Sequence, residues 1–228
     1  MDLSGKKVAV LGLGRSGASA ARLAVRRGAT VSATDQKAER DLPFARELAS
    51  LGVSLHLGKN DPAVLESADL LVVSPGVPDN DVTKTAEARS LPVVSEVEMA
   101  SWWIEAPIVA ITGTNGKSTV TTLIGEMLRA SGIPTFVGGN LGTPLSDAVG
   151  TEAASVGRVV CELSSYQLER IERFRAYVGV LLNVTPDHLD RYPSFDAYAA
   201  AKGNLFAHQA AGAHAVIPAG DAVCARQA

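Results

Sequence analysis

The stretch from Pro107 to Thr122, PIVAITGTNGKSTVTT, constrains the fold of this chain more than any other. Its apolar residues 108–111 predict a buried strand, residues 112–116 predict a tight glycine loop, and a helix is expected from Lys117 to about Arg129. A glycine loop between a strand and a helix turns backbone N–H groups toward the helix N-terminus, where the helix dipole also stabilises an anion. The stretch therefore predicts a phosphate-binding loop.

In loops of this kind a lysine reaches the β- and γ-phosphates of a nucleotide, and the next hydroxyl binds Mg²⁺. Lys117 and Ser118 occupy these two positions. The motif has a shorter form here, because the place five residues before Gly116 holds Ile111 where the longer form has glycine. An ordinary glycine turn followed by a solvated lysine is the alternative. The expected ATP-binding residues are Gly113, Thr114, Asn115, Gly116, Lys117, Ser118 and Thr119.

A second glycine loop, GLGRSG, lies near the N-terminus at residues 12–17. It follows an expected strand at 7–11 and precedes an alanine-rich helix that runs to about Arg27, and Asp35 ends the next strand. A glycine loop with an acid about 20 residues later is the dinucleotide-binding fingerprint. The pattern requires only a diphosphate on the helix N-terminus and a hydroxyl near the acid. It therefore fits either an NAD-dependent oxidoreductase or a protein that binds a nucleotide-sugar diphosphate.

Three more polar segments directly follow expected strands. Ser74-Pro75-Gly76 is either a connecting turn or a ligand loop at the carboxyl edge of a sheet. Glu162 lies at the carboxyl end of the strand expected at 158–163, where a second Mg²⁺ contact beside a phosphate loop is expected. His188 follows the strand at 178–182 and is flanked by acids, which fits either a metal ligand or a solvated loop histidine.

Alternation of strands and helices along the whole chain predicts an α/β fold with parallel sheets. We predict an N-terminal Rossmann-like domain at residues 1–104, followed by an incomplete central domain of the P-loop ATPase type at residues 105–228. Two glycine loops in two successive domains imply two phosphate-bearing ligands. This disfavours the oxidoreductase, which needs only the first loop.

Composition narrows the class of protein further. The chain has 228 residues and a net charge of −3, which argues against nucleic acid as a partner. Its two cysteines are far apart and lack metal-ligand spacing, so they are expected to be reduced thiols in a cytoplasmic protein. No apolar run approaches the roughly 18 residues of a membrane helix, and no secretory signal is expected.

Six motifs in sequence order resemble those of the Mur ligases of peptidoglycan synthesis. They are GLGRSG at 12–17, SPGVP at 74–78, GTNGKST at 113–119, GGNLG at 138–142, ELSSYQLE at 162–169 and NVTPDHLDRY at 183–192. The first two motifs and the ELSSYQLE form are similar to those of the branch that adds D-glutamate. The resemblance covers the whole chain. It implies an ATP-dependent amide ligase that joins D-glutamate to UDP-N-acetylmuramoyl-L-alanine through an acyl phosphate.

The resemblance also implies a role for particular residues. Lys117 and the loop amides would bind the ATP phosphates, Ser118 and Glu162 would bind one Mg²⁺, and His188 would help to bind a second. Lys202, four residues after Tyr198, would carry a carbamate formed with CO₂ and support the metal; Lys117, His188 and Lys202 are thus the expected catalytic residues. The substrate would be held by Asn140 at its muramoyl-alanine part and, at its UDP part, by Arg15, Ser16, Asp35, Gln36, Ser74, Pro75 and Gly76.

Members of this family have three domains, and the 228 residues end within the second. We therefore expect these residues, tested by themselves, to bind ligands without ligase turnover, and we expect a monomer. A non-catalytic module that binds a UDP-sugar or another nucleotide is the alternative.

Overall fold

The computed structural model describes residues 2–140 and 142–228; Met1 and Leu141, the latter within the GGNLG motif, lie outside the described residues. The chain divides into two compact units, the first ending at Ala100 and the second beginning at Ser101. The described residues of each unit form a five-stranded parallel sheet with helices, which confirms the α/β prediction.

The first sheet brings the glycine loop and the SPGVP loop to the same edge. Its spatial order is β3-β2-β1-β4-β5, so the chain leaves β1 toward β2 on one side and later adds β4 on the other. Ligands of open α/β sheets bind at such a switch point, beside the carboxyl ends of the strands. The strands are β1 (Lys7–Leu11), β2 (Thr30–Asp35), β3 (Ser54–Leu57), β4 (Leu70–Val73) and β5 (Val93–Ser95).

Helices cover this sheet, which explains why β4 is buried along its whole length. The side chain of Asn80 begins α3 with a capping box, and the Oγ of Ser95 accepts a hydrogen bond from the Glu98 N–H in the first turn of α4. The helices are α1 (Arg15–Arg26), α2 (Ala45–Ser50), α3 (Asp81–Ala88) and α4 (Glu96–Ser101), with short 3₁₀ helices at Glu39–Asp41 and Pro62–Leu65.

The second sheet has the order β10-β9-β6-β8-β7 and is also parallel. Since β6 pairs with β8 on one side and β9 on the other, the segments after these three strands meet at one edge. These segments are the phosphate loop, the ELSSYQLE motif that begins at Glu162, and the NVTPDHLDRY motif. The strands are β6 (Ile108–Thr112), β7 (Thr135–Gly139), β8 (Arg158–Glu162), β9 (Val178–Leu181) and β10 (His214–Val216).

The helix after the phosphate loop, α5, is the longest of the described helices in this unit. Its buried face packs on an apolar cluster that includes Ile111, Val160 and Val180 of three neighbouring strands. The helices are α5 (Lys117–Ala130), α6 (Glu152–Ser155), α7 (Ser165–Leu168), α8 (Phe195–Gly203) and α9 (Ala222–Ala225), with 3₁₀ helices at Leu145–Asp147 and Asn204–Phe206.

The helix α8 ends at Gly203 and continues as a short 3₁₀ helix. Glycine is unfavourable inside a helix, but here it allows a close approach of the C-terminal segment. A Cβ atom at Gly203 would lie 2.7 Å from the Oε1 of Gln227 and 3.1 Å from its Cβ. Among the described residues, no helix is both long and apolar enough to span a membrane.

Candidate active site

The loop between β6 and α5 is shaped by two glycines with left-handed backbone angles. Gly113 has φ of +150° and Gly116 has φ of +85°, a region that side-chain-bearing residues rarely adopt. A Cβ at Gly113 would also lie 3.1 Å from the Cβ of Leu182, so the loop approaches the end of β9 closely. Gly116 precedes α5 without a side-chain cap. The first amides of the helix are thereby left available to an anion.

Two lysine side chains converge on the carbonyl oxygen of Gly113. The Nζ of Lys117 donates to the carbonyl oxygens of Gly113 and Thr114, each at 3.0 Å. The Nζ of Lys202, from α8, donates to the same Gly113 oxygen at 2.9 Å. This arrangement concentrates positive charge where the phosphate loop begins, as an ATP-binding site requires.

Glu162 connects the phosphate loop to the segment after β7. Its Oε2 accepts a hydrogen bond of 2.6 Å from the Ser118 hydroxyl, and its Oε1 accepts one of 2.8 Å from the Asn140 side-chain amide. The backbone N–H of Asn140 also donates to the carbonyl oxygen of Glu162 at 2.8 Å. The structure thus brings Ser118, Glu162 and Asn140 together, although they are separated in sequence.

The chemistry of these groups fits Mg²⁺. Glu162 is only 3% exposed, and both hydrogen-bond donors on its carboxylate are neutral, so a cation would compensate its buried charge. Mg²⁺ takes oxygen ligands and is commonly bound by one or two protein groups together with nucleotide phosphates and water. Within residues 2–140 and 142–228, no cluster of three or more His, Cys, Asp or Glu side chains has the spacing of a metal site. A metal at Ser118 and Glu162 would take its other ligands from nucleotide phosphates and water.

His188 lies on a turn with a strained backbone. Its φ of +51° is unusual for a residue other than glycine, and its carbonyl oxygen accepts hydrogen bonds from the N–H groups of Arg191 and Tyr192. The imidazole ring packs against Tyr166, with ring centroids 5.1 Å apart. Its Nε2 lies 3.5 Å from a carboxylate oxygen of Asp187. Strained residues often occur at functional sites, where the surrounding contacts maintain them.

A second set of contacts holds this turn in place from the side of α7. The guanidinium of Arg191 lies over the ring of Tyr166 at 4.5 Å and forms an ion pair of 2.7 Å with Glu169. The Tyr192 hydroxyl donates to the same Glu169 carboxylate, and burial followed by this bond raises the Tyr192 pKa far above its ordinary value. The turn that carries His188 is therefore attached to the ELSSYQLE segment.

Tyr198 links the turn, the phosphate loop and Lys202. Its ring is fully buried, lies 6.0 Å from the His188 ring, and has the Lys202 ammonium 4.6 Å from its centroid. Its hydroxyl is 3.2 Å from the Oγ1 of Thr114. Lys202 is only 2% exposed, and burial, followed by the charge of Lys117, lowers the pKa of Lys202 to about 8.

In the first unit, Asp35 fastens the GLGRSG loop. Asp35 is 8% exposed, and its carboxylate accepts hydrogen bonds from the N–H of Leu13 at 2.6 Å and the N–H of Lys37 at 2.8 Å. The Ser74 hydroxyl donates to the Gly12 carbonyl oxygen at 2.8 Å, so the SPGVP loop supports the glycine loop directly. The expected ligand residues around them differ in accessibility. Arg15, Gln36 and Gly76 are exposed, whereas Ser16 and Pro75 are half-buried.

Replacing Gly17 by alanine is expected to destabilise this loop. A Cβ at Gly17 would lie 1.8 Å from the Gly12 carbonyl oxygen and 2.6 Å from the Ser74 hydroxyl, so the backbone of the loop would have to move. We expect a loss of about 1–3 kcal/mol in the free energy of unfolding, the usual cost of overpacking. Gly14→Ala is the matched control, because nothing lies within 4 Å of its Cβ position. Equal denaturation midpoints for the two variants would contradict this packing.

Two residues of the site, Asn183 and Tyr198, received no role from the sequence. Asn183 contacts the backbone of the phosphate loop, and Tyr198 contacts Thr114, His188 and Lys202. A signal for Asn183 exists in retrospect, since it is a polar residue at the end of a strand next to β6. Nothing in the local sequence separates Tyr198 from an ordinary core tyrosine.

Comparison with protein families assigns both units. The Mur ligase middle domain matches residues 111–228, and the MurD-like N-terminal domain of Mur ligases matches residues 6–95. The chain belongs to the Mur ligase family.

Curated relatives cover nearly all of this chain. It is 48% identical over 227 residues to the UDP-N-acetylmuramoylalanine–D-glutamate ligase of Geotalea daltonii, which is 99% of this chain and 50% of the relative. It is 54% identical over 210 residues to the ligase of the same name from Anaeromyxobacter dehalogenans, or 91% of this chain and 45% of the relative. The chain thus spans about half the length of the curated relatives it matches.

Two solved structures share the fold. One is the crystal structure of UDP-N-acetylmuramate:L-alanyl-γ-D-glutamyl-meso-diaminopimelate ligase from Neisseria meningitides. Its TM-score is 0.64 and its sequence identity is 20%, and the match covers 98% of this chain and 74% of that chain. The other is a murein peptide ligase from Psychrobacter arcticus, with a TM-score of 0.58 and 21% identity over 98% of this chain and 51% of that chain. At this identity the likeness establishes the fold alone.

Proposed function

We propose that this chain is the nucleotide-binding and substrate-binding part of a ligase that adds D-glutamate to UDP-N-acetylmuramoyl-L-alanine and converts ATP to ADP. The main support is the Ser118–Glu162 pair beside the uncapped N-terminus of α5. This pair occurs in a chain that is 48% identical over 99% of its length to a relative named for this reaction. This chain covers 50% of that relative, and the complete reaction is proposed only for a chain of the relative's full length.

The proposed reaction has two displacements. A carboxylate oxygen of the substrate attacks the γ-phosphorus of ATP, the bond from that phosphorus to the β,γ-bridging oxygen breaks, and ADP leaves. The amine of D-glutamate then attacks the acyl carbon of the resulting acyl phosphate, loses a proton, and phosphate leaves as the amide forms. Both steps place negative charge on phosphoryl oxygens, so catalysis consists mainly of positioning and charge stabilisation.

The residues of the phosphate loop fit this demand. The amides at the start of α5 and the Lys117 ammonium would bind the phosphates of ATP, with Gly113 and Gly116 providing the necessary backbone shape. Lys117 would exchange its present bonds to the loop carbonyls for bonds to phosphate oxygens. Mg²⁺ bound by Ser118 and Glu162 would supply charge neutralisation at the phosphates.

We extend the proposal to a second Mg²⁺ near His188, supported by a carbamate on Lys202. In this reaction the neutral amine of Lys202 adds to CO₂, and the proton goes to water. The buried position of Lys202 beside Tyr198 keeps water away from the product, and the change from cation to anion removes the repulsion between Lys202 and Lys117. The carboxylates of Asp187 and Glu162 act on the same lysine and oppose the lowering of its pKa.

Carbamate formation should therefore depend on pH. With dissolved CO₂ held constant, the yield should rise between pH 6 and pH 8, because the pKa of Lys202 is lowered to about 8 and only the neutral amine reacts. A ¹³C NMR experiment with labelled bicarbonate measures the carbamate carbon directly. The signal should vanish in Lys202→Arg and persist in Lys84→Arg, an exposed lysine of α3. A signal that survives in Lys202→Arg would refute this assignment.

In the first unit, we propose that the UDP part of the substrate binds at the switch point between β1 and β4. Arg15, Ser16, Gln36 and the loop at 74–76 would contact it. Asp35 would act mainly by fixing the Leu13 and Lys37 amides, since both bonds already engage its carboxylate.

In the second unit, we propose that Asn140 contacts the muramoyl-alanine part of the substrate while its side-chain amide donates to Glu162.

Calorimetric titration of the 228-residue chain tests the proposed function. We expect binding of Mg·ATP and of UDP-N-acetylmuramoyl-L-alanine, and none of NAD. ADP release in the presence of ATP, Mg²⁺ and both substrates tests turnover; we expect none from these residues alone. If the chain bound neither Mg·ATP nor the UDP-substrate, the proposal would be overturned. If it bound the UDP-substrate but not Mg·ATP, the result would favour the non-catalytic module instead.

A further inference from the structure

Asn183, the second residue after β9, makes an unusual set of contacts with the phosphate loop. Its Oδ1 accepts hydrogen bonds from the N–H of Asn115 at 2.9 Å and the N–H of Thr114 at 3.2 Å. Its Nδ2 donates to the Asn115 carbonyl oxygen at 3.0 Å, and its own carbonyl oxygen accepts from the Thr114 N–H at 3.0 Å. One half-buried carboxamide thus uses both its acceptor and its donor on two adjacent loop residues.

These bonds determine which loop amides face a ligand. The N–H groups of Thr114 and Asn115 are directed to Asn183 and are not available to a phosphate. The first helical hydrogen bond of α5 runs from the Val120 N–H to the Gly116 oxygen, so the amides of residues 117–119 have no partner within the helix. The anion-binding part of the loop is therefore its helical end, and Asn183 holds the other half.

We propose that Asn183 is a positioning residue that fixes the phosphate loop for nucleotide binding and joins it to the segment that carries His188. The inference rests on the proposed function. The Asn183 side chain, two residues beyond the end of the neighbouring strand β9, supplies bonds that hold the loop.

The Thr114 side chain connects the phosphate loop to the segment that carries His188. The Oγ1 of Thr114 accepts a hydrogen bond from the Thr185 N–H at 3.0 Å and lies 3.2 Å from the Thr185 carbonyl oxygen. The same Oγ1 is 3.2 Å from the Tyr198 hydroxyl, whose ring packs on His188. The phosphate loop and the segment that leads to His188 therefore form one hydrogen-bonded unit, through which a displacement of the loop would reach the turn.

Amide hydrogen exchange followed by ¹⁵N NMR on the 228-residue chain tests the positioning role without any nucleotide. In Asn183→Ala the Asn115 amide should exchange about tenfold faster or more, the effect expected for loss of a hydrogen bond. The Thr114 amide keeps its bond of 3.0 Å to the Asn183 backbone carbonyl oxygen and should change less. Asn183→Asp keeps the acceptor oxygen but replaces the Nδ2 donor with a second oxygen that faces the Asn115 carbonyl, so it should restore the protection of the Asn115 amide only in part. Asn204→Ala is the matched control, because that side chain also donates to a backbone carbonyl, of Leu168, outside the phosphate loop.

Titration with Mg·ATP and Mg·ADP measures the consequence for binding. Asn183→Ala should weaken both about tenfold or more. Asn183→Asp should weaken ATP more than ADP, because its added negative charge repels the ligand with more phosphate charge, and the control should bind as the wild type does. Unchanged exchange of the Asn115 amide in Asn183→Ala, or equal acceleration of that amide in Asn204→Ala, would overturn the inference. A wild-type chain that binds no ATP would overturn the proposed function, and the exchange comparison would still decide the role of Asn183.

Discussion

Lys117→Ala is expected to weaken binding of Mg·ATP by about 100-fold. Hydrogen bonds to charged groups contribute about 1.5–3 kcal/mol, and a 100-fold loss of affinity lies near the upper end of this range. The Lys117 ammonium bonds only to the carbonyls of Gly113 and Thr114 among the described residues, and it can exchange them for phosphate oxygens by rotating its side chain. Isothermal titration calorimetry of the 228-residue chain gives the dissociation constant. Lys84→Ala, in the first unit, is the matched control.

The same variant has a second expected result that requires no nucleotide. Because the charge of Lys117 helps to lower the pKa of Lys202, its removal should raise that pKa above about 8. The pKa of Lys202 can be followed by NMR of the labelled lysine side chain. Undiminished ATP affinity in Lys117→Ala would show that the Lys117 ammonium does not bind the phosphates. Reduced affinity with an unchanged Lys202 pKa would show that the two ammonium groups do not interact.

The parallel sheets and both glycine loops could be predicted because they depend on short-range patterns. Apolar runs of four to six residues, each followed by glycine and then a helical pattern, define β1 with α1 and β6 with α5. Chain order then excludes antiparallel sheets, since parallel neighbours require crossover connections. The comparisons confirm the family to which these patterns pointed.

Short elements were missed for the opposite reason. The strand β5 has three residues and the helix α2 has six, which is too few for a period to emerge from the sequence. The role of Gly203 likewise depends on Gln227, which packs against it from the far end of the chain. Tertiary packing, and not local propensity, decides these positions.

Partners within the site could not be predicted because they are separated by many residues. Asn140 and Glu162 are 22 residues apart, Ser118 and Glu162 are 44 apart, and Asn115 and Asn183 are 68 apart. The sequence placed each of these residues near a strand end, which limits where it lies but leaves open which atoms it contacts. Asp35 is an example: the sequence places it at the end of β2, but only the structure shows that its carboxylate accepts hydrogen bonds from the Leu13 and Lys37 amides.

Glu162→Gln is expected to abolish the dependence of ATP binding on Mg²⁺ while leaving the fold intact. Glutamine retains the size of the side chain and one acceptor oxygen, and the Ser118 hydroxyl can reverse its bond to accept from the new amide. The negative charge that a divalent cation requires is lost. Titration with ATP in Mg²⁺ and in EDTA should give similar dissociation constants for the variant, whereas Mg²⁺ should strengthen binding to the wild type about tenfold or more.

Glu152→Gln provides the control, because it makes the same change at an exposed position in α6. It should bind as the wild type does in both titrations. Glu162→Gln should also lower the pKa of Lys202 further, since the charge of Glu162 acts to raise it. If Mg²⁺ still strengthened ATP binding to Glu162→Gln as much as to the wild type, the metal would bind through other groups. Ser118 and Glu162 would then serve to join α5 to β8, and the metal assignment would be wrong even with phosphate binding intact.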